Sequence, residues 1–268
     1  TIDSPRERLI AILTNNFVPC NGRWPTLILL ATVFVAAAAP PGVASVLAAG
    51  SVVMVVVLGV MFTLIVSALL SRTVLKGEAS AFTLELPPYR RPSILRTLHT
   101  SIINRTIFVL WRAILCAAPA GAVIWLLANI DIAGQSMAQH CISFLDPLGH
   151  AIGLDGVILL AYVIAIPANE IVVPTILMLY LGNTMMTEEL QTSEGWRELF
   201  IGQNNWTLLT AVNLMLFSLL HNPCATTIYT MWKETKRLKW TLLGALMPLA
   251  IAFGVTFTVA QVVRLFGG

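Results

Sequence analysis

Apolar positions along this chain gather into runs far longer than a helix of a soluble protein needs. Val43 to Leu70 holds no charged residue, and about 20 apolar residues in a helix cross a hydrocarbon layer. Thr106 to Leu127 and Thr241 to Leu265 repeat the pattern, with Arg112 close enough to the start of its run to snorkel. Three other runs are interrupted. Residues 9–39 are cut by Phe17-Val18-Pro19-Cys20-Asn21-Gly22-Arg23-Trp24-Pro25-Thr26, and Trp206–Trp232 by His221-Asn222-Pro223-Cys224. Gly156–Leu181 is cut by Ile166-Pro167-Ala168-Asn169-Glu170-Ile171-Val172-Val173-Pro174. Proline has no N–H, so Pro19, Pro25, Pro167 and Pro174 leave the carbonyls of Asn15, Asn21, Val163 and Glu170 without helical partners. In lipid such oxygens must meet protein, water or a cation.

Polar segments sort the ends of these runs. Arg72, Lys76, Arg90 and Arg91 lie in one linker, and Lys233, Lys236, Arg237 and Lys239 in another. The positive-inside rule puts residues 72–105 and 233–239 in the cytoplasm and 128–155 and 183–205 outside. Within the first linker, residues 93–105 read as an interfacial helix: Ile94, Leu98 and Ile102 recur every four residues, while Arg96, His99 and Arg105 suit the headgroup side. The Glu170 stretch then begins and ends outside as a re-entrant hairpin, although its length also allows one full crossing. A symmetry follows. A span broken at Pro19-Cys20 precedes an unbroken one, and a span broken at Pro223-Cys224 precedes another of opposite orientation. Inverted repeats with broken helices at matching places point to a transport site.

Composition narrows the class. The chain has 268 residues, 57% hydrophobic and 11% charged, against about 25% charged in soluble domains. It reads as an all-α polytopic membrane protein with no room for a sizeable soluble domain. A formal charge of +3 gives no sign of a nucleic-acid partner. It opens with Thr1 and carries no signal-peptide pattern, as expected of a piece of a longer polypeptide. No catalytic residues are assigned: HExxH, GxSxG and GxxxxGK[ST] are all missing, so no bound nucleotide or other cofactor is expected. Four cysteines form no CxxC pair.

Glu170 carries the strongest chemical signal, since a carboxylate in an apolar run usually faces a cavity, a partner or an ion. A proline kink with the carboxylate bonded to a neighbouring helix is the plainer reading. Cys20 and Cys224 each follow a proline at a break. Thiol or thiolate with carboxylate and carbonyl oxygens suits a borderline metal such as ferrous iron better than sodium or magnesium. Free cysteine is also an ordinary buried residue, the reading taken for Cys116 and Cys141. His221, three residues before Cys224, shares its face if the helix persists that far. Asn15, Asn21, Asn169 and Asn222 offer oxygen at the breaks, as ligands or helix caps. Arg23 reads as a gate or a phosphate-side anchor.

The segments NNFVPCNGRWPT (15–26), ELPPYRRP (85–92), LDPLGHAIGLDGVILLAYVIAIPANEIVVPT (145–175), LFSLLHNPCATT (216–227) and KETKRLKWTLLGALMP (233–248) resemble the membrane domain of FeoB, the prokaryotic ferrous iron transport protein. The resemblance spans nearly the whole chain. It implies two gate-type repeats like those of concentrative nucleoside transporters: a first gate region with its linker helix in 1–105, a connecting helix and external segment in 106–154, and a second gate region in 155–268. It implies Fe²⁺ transport into the cytoplasm across the bacterial inner membrane, with Cys20, Cys224 and Glu170 as metal residues and Asn21, Asn169, His221 and Asn222 as further metal or gate positions. The expected partners are lipid, a G-protein domain missing here or carried on a separate chain, a small FeoA-like or FeoC-like accessory protein, and further copies of the chain. A nucleoside, Mn or Zn transporter, or a non-transporting subunit that docks a G protein, are the alternatives.

Overall fold

The computed structural model describes residues 2, 4–40, 42–77, 93–132, 134–181 and 193–267. The ELPPYRRP motif and residues 183–192 of the expected external loop lie outside them.

The first broken span is α1 (Pro5–Thr14), a short 3₁₀ turn at Asn15–Phe17, an extended step, a second turn at Asn21–Arg23, and α2 (Trp24–Leu30), which continues as a π-type turn to Val35. Ser4 caps α1 by accepting from the Glu7 N–H, and Pro5 occupies the first turn, where its missing N–H costs nothing. α3 (Ala44–Arg72) buries a stripe of Ala48, Val52, Val55, Gly59, Val66 and Leu70. Its other face exposes Val53, Met54, Val57, Met61 and Leu64, a surface suited to lipid. Gly59 is required where α3 crosses the first break: a Cβ there would stand 2.4 Å from the Phe17 carbonyl oxygen.

α4 (Ile94–Thr100) passes through a π-type segment at Ser101–Ile107 into α5 (Phe108–Asn129). The expected interfacial helix and the next span are therefore one continuous helical stretch. A two-residue ladder pairs Asp131 with Ser136 before α6 (Met137–Ala151), which opens on a Ser136–Gln139 capping box. α7 (Gly156–Ile164) leaves α6 at a bend of 111°. α8 (Val172–Leu181), α9 (Ser193–Arg197), α10 (Leu208–Leu220), α11 (Ala225–Thr235) and α12 (Leu238–Gly267) complete the chain. Among the described residues, Pro5–Val35, Ala44–Arg72, Leu208–Thr235 and Leu238–Phe266 are long and apolar enough to cross a membrane, and the bent α6–α7 pair would make a fifth.

Contacts at the two ends of the molecule fix the directions of these elements. At one end Arg8 of α1 pairs with Glu234 of α11, and Arg6 donates to the carbonyls of Ser71 and Leu75 at the end of α3. At the other, the rings of Phe34 and Trp206 stack with centroids 6.1 Å apart. The two broken spans therefore run antiparallel, the inverted relation that the sequence pattern predicts. The hairpin reading of the Glu170 stretch is also settled by contact. Asp155, which caps α7 by accepting from the Ile158 N–H at 2.7 Å, also accepts from the Tyr180 hydroxyl near the end of α8. A straight helix would hold those two residues about 37 Å apart. The hairpin base lies at the Trp206 end, since Trp206 Nε1 donates to the Tyr180 hydroxyl at 2.9 Å. Asn213 of α10 donates to the Ile152 carbonyl at 2.8 Å and ties the α6–α7 turn to the same bundle.

Cations gather at the Arg8 end: Arg6, Arg8, Arg72, Lys76, Lys233, Lys236, Arg237 and Lys239. Cysteines introduced by Lys76→Cys and Lys236→Cys should react with an impermeant maleimide only from the cytoplasmic face. Those from Glu194→Cys and Gln203→Cys should react only from the opposite face, each measured above the parent's own labelling. Labelling of Lys236→Cys and Gln203→Cys from one face would overturn this orientation.

Candidate functional site

The interruptions meet about midway between the two ends, and one side chain joins two of them. Pro223 cannot donate to the Leu219 carbonyl four residues back. The Arg23 guanidinium takes that oxygen instead, Nη1 donating to Leu219 O and to Asn16 O at 2.7 Å each. Its Nη2 donates to Asn16 Oδ1 at 3.1 Å and to His221 O at 3.2 Å. Asn16 Nδ2 donates to His221 O at 2.7 Å. Arg23 is 2% exposed, a position a cation tolerates only with dense hydrogen bonding. Backbone carbonyls freed at both breaks are therefore met by a resident cation, although none is among the carbonyls of Asn15, Asn21, Val163 and Glu170 singled out from the prolines. Cys20, Tyr162 and Cys224 lie within electrostatic reach of the guanidinium.

The hairpin tip supplies the third element. Its Ile166 carbonyl accepts from the Ala225 N–H at 2.9 Å, so the tip is bonded across to the start of α11. Asn169 Oδ1 stands 3.4 Å from His221 Nε2. Glu170 lies against Gly22: a Cβ added to that glycine would come within 2.9 Å of the Glu170 Cγ and Oε1. This explains the glycine two positions after Cys20.

The side chains singled out from the sequence have different fates. His221 does not share a helical face with Cys224. α10 stops at Leu220 and His221 takes an extended conformation, because Pro223 prevents the helix from continuing. Its ring is buried, with Nδ1 2.9 Å from the Ser218 carbonyl oxygen, to which it donates, and Tyr162 packs edge-on at 4.6 Å. Asn169 is buried, Asn222 half-buried and Asn21 exposed. Cys224 is half-buried, with Sγ 3.0 Å and 3.3 Å from the hydroxyl oxygens of Thr226 and Thr227. Cys20 and Glu170 are exposed, the latter with its side chain lying along Gly22. A carboxylate so placed at membrane depth needs an aqueous cavity, a partner or an ion. Among the described residues no three His, Cys, Asp or Glu side chains stand together as a ready-made metal cage. The structure thus brings the three backbone breaks together without closing Cys20, Glu170 and Cys224 into one ligand set.

Comparison with known proteins places this arrangement. Residues 52–103 match the family described as "Ferrous iron transport protein B C terminus", and residues 110–238 match "Gate", described as "Nucleoside recognition". The Fe(2+) transporter FeoB of Staphylococcus aureus is 31% identical over 278 residues, covering 99% of this chain and 38% of its own length. That of Leptospira interrogans is 26% identical, covering 99% of this chain and 40% of its own length. A Porphyromonas gingivalis "Fe(2+) transport protein A/Fe(2+) transporter FeoB fusion protein" is 24% identical over 99% of this chain and 36% of its own length. The chain is similar to the C-terminal membrane part of FeoB proteins. It spans about two fifths of the length of these FeoB relatives and is a multi-pass bacterial membrane protein. No solved structure matches it at a significant level. The Gate match takes in the hairpin tip and the second break with Cys224, whereas Cys20 and Arg23 precede both family matches.

Reading the sequence left Arg23 as a gate or an anchor and missed its four acceptors. The usable signal was a lone cation inside an interrupted apolar run, seven residues after an asparagine. Arg23→Met should abolish the junction, because removing one partner of a buried charged network costs about 3–5 kcal/mol. Arg23→Lys should recover only part, since one ammonium has three donors and no planar fork. The thermal midpoint of the purified protein in detergent measures both. A midpoint for Arg23→Met within one degree of the parent would show that Arg23 does not hold the breaks together.

Proposed function

We propose that this chain is the membrane path of a ferrous iron uptake system, carrying Fe²⁺ into the cytoplasm between the two broken spans and the hairpin tip. The observation that carries the reading is the convergence of three interrupted helices at one depth, with Cys20 and Cys224 around the junction and Glu170 uncovered beside it. The names of its relatives support Fe²⁺ as cargo. Glu170 would neutralise the cation, and the cysteines would supply the soft ligands that favour a borderline metal over sodium or magnesium. Because the three are not gathered in this conformation, the ligand set would assemble as the hairpin tip moves, with His221, Asn169, Asn222 and Asn21 lining the way. The preference for iron over manganese or zinc would then be set by how closely the cysteines approach. A G domain, elsewhere in the protein or on a separate chain, would couple the path to nucleotide. The fusion relative supports a small FeoA-like partner.

A second reading has one observation in its favour. The carbonyls of Leu219 and His221 are already capped by Arg23, as they would be if the breaks served only packing in a subunit that does not transport.

Uptake of radiolabelled Fe²⁺ under reducing conditions separates the two, with membrane protein measured in parallel. Glu170→Gln keeps shape but not charge, and Cys20→Ser and Cys224→Ser replace soft with hard ligands. Glu170→Gln and at least one cysteine variant should lose most uptake, roughly tenfold or more, as loss of metal ligation or its support does, at unchanged protein level. Gly22→Ala should weaken uptake by displacing the carboxylate it leaves in place. Parental uptake by Glu170→Gln and both cysteine variants would reject the site. Loss of protein from the membrane would favour the packing reading. The polypeptide 1–268 alone should bind no GTP at micromolar concentration, since it has no phosphate loop.

A further inference from the structure

At the basic end, α1, α11 and α12 enclose a pocket of about 330 Å³, within the range of about 300–1,000 Å³ usual for small-molecule sites. It shares none of the junction's residues. Its polar wall is Arg8, Glu234 and Arg237, and its apolar wall is formed by Leu9, Ile12 and Trp240. Arg8 is bound to Glu234. The wall therefore sums to one net positive charge, two guanidinium groups against one carboxylate. Trp240 sits at the first turn of α12, where its amphipathic ring suits the headgroup level, and Lys239 stands 5.7 Å over that ring. Leu9 and Ile12 lead from the charged rim along α1 toward the hydrocarbon.

We propose that this pocket binds the headgroup of an anionic phospholipid, a phosphodiester of single negative charge such as phosphatidylglycerol. Basic pockets between helices at the membrane face take such groups. The guanidinium fork of Arg237 matches two phosphate oxygens, one negative charge neutralises the wall, and the acyl chains follow Leu9 and Ile12. A free inorganic phosphate offers the same oxygens but has nothing for the apolar wall. A phosphodiester with a zwitterionic headgroup brings its own cation and forfeits the net attraction.

The test uses the whole purified chain in nanodiscs or detergent, with lipid retention read by native mass spectrometry against phosphatidylglycerol, phosphatidylcholine and inorganic phosphate. Phosphatidylglycerol should be retained at least fivefold better than phosphatidylcholine. Arg237→Gln should remove that preference. Glu234→Gln should strengthen it about threefold or more by releasing Arg8 to the phosphate, a gain that a merely structural ion pair would not give. Lys76→Gln, a cation at the same end but outside the pocket, should leave it unchanged. Equal losses for Lys76→Gln and Arg237→Gln would reduce the effect to general surface attraction and overturn the site. Displacement of the lipid by millimolar inorganic phosphate would show a free-anion site and overturn the lipid assignment. Weaker retention by Glu234→Gln, with the thermal midpoint unchanged, would contradict the charge balance.

Discussion

One guanidinium group holds the interrupted core of this protein together. Breaking a helix in a membrane exposes carbonyls that lipid cannot solvate, and Arg23 answers for oxygens of both broken spans at once. Hydrogen bonds from a charged donor are worth about 1.5–3 kcal/mol each, and four of them offset the several kcal/mol needed to take the cation out of water. The planar fork of donors on Arg23 reaches acceptors on residues 16, 219 and 221 together. The arginine therefore makes the breaks tolerable, and the breaks in turn give the arginine its only adequate surroundings.

The rest of the architecture is arranged to keep that crossing in register. The broken spans are pinned antiparallel at one end by Arg8 and Glu234 and at the other by the stacked rings of Phe34, Phe200 and Trp206. The hairpin is anchored at its base through Asp155, Tyr180 and Trp206 and at its tip through one backbone bond, Ala225 N–H to Ile166 O. Its base has several polar ties and its tip few.

That division of labour gives the junction its chemical character. The residues most deeply buried there, Arg23, Asn16 and His221, direct most of their hydrogen bonds to backbone carbonyls. Those left uncovered or half-covered are Glu170, Cys20 and Cys224. The close approach of Glu170 also explains why position 22 is glycine, since any side chain would push the carboxylate aside.

Much of this was legible in the residues alone. Apolar runs of more than 20 residues determined an all-helical membrane protein, because length and hydropathy follow directly from bilayer thickness. Prolines determined where helices must break, because a missing N–H acts within four residues. The distribution of Lys and Arg set the polarity of the ends. What the tertiary structure decided is every relation between residues remote in the chain. Arg23 and Leu219 lie 196 positions apart, and no local rule pairs them. The hairpin rather than a crossing at 156–181 was decided by the bond between Asp155 and Tyr180. The condition for His221 and Cys224 to share a face is not met, because α10 ends at Leu220, four residues before Cys224. Local covalent constraints can be read in order along the sequence, whereas the partner of a freed carbonyl depends on which distant side chain the packed fold brings to it.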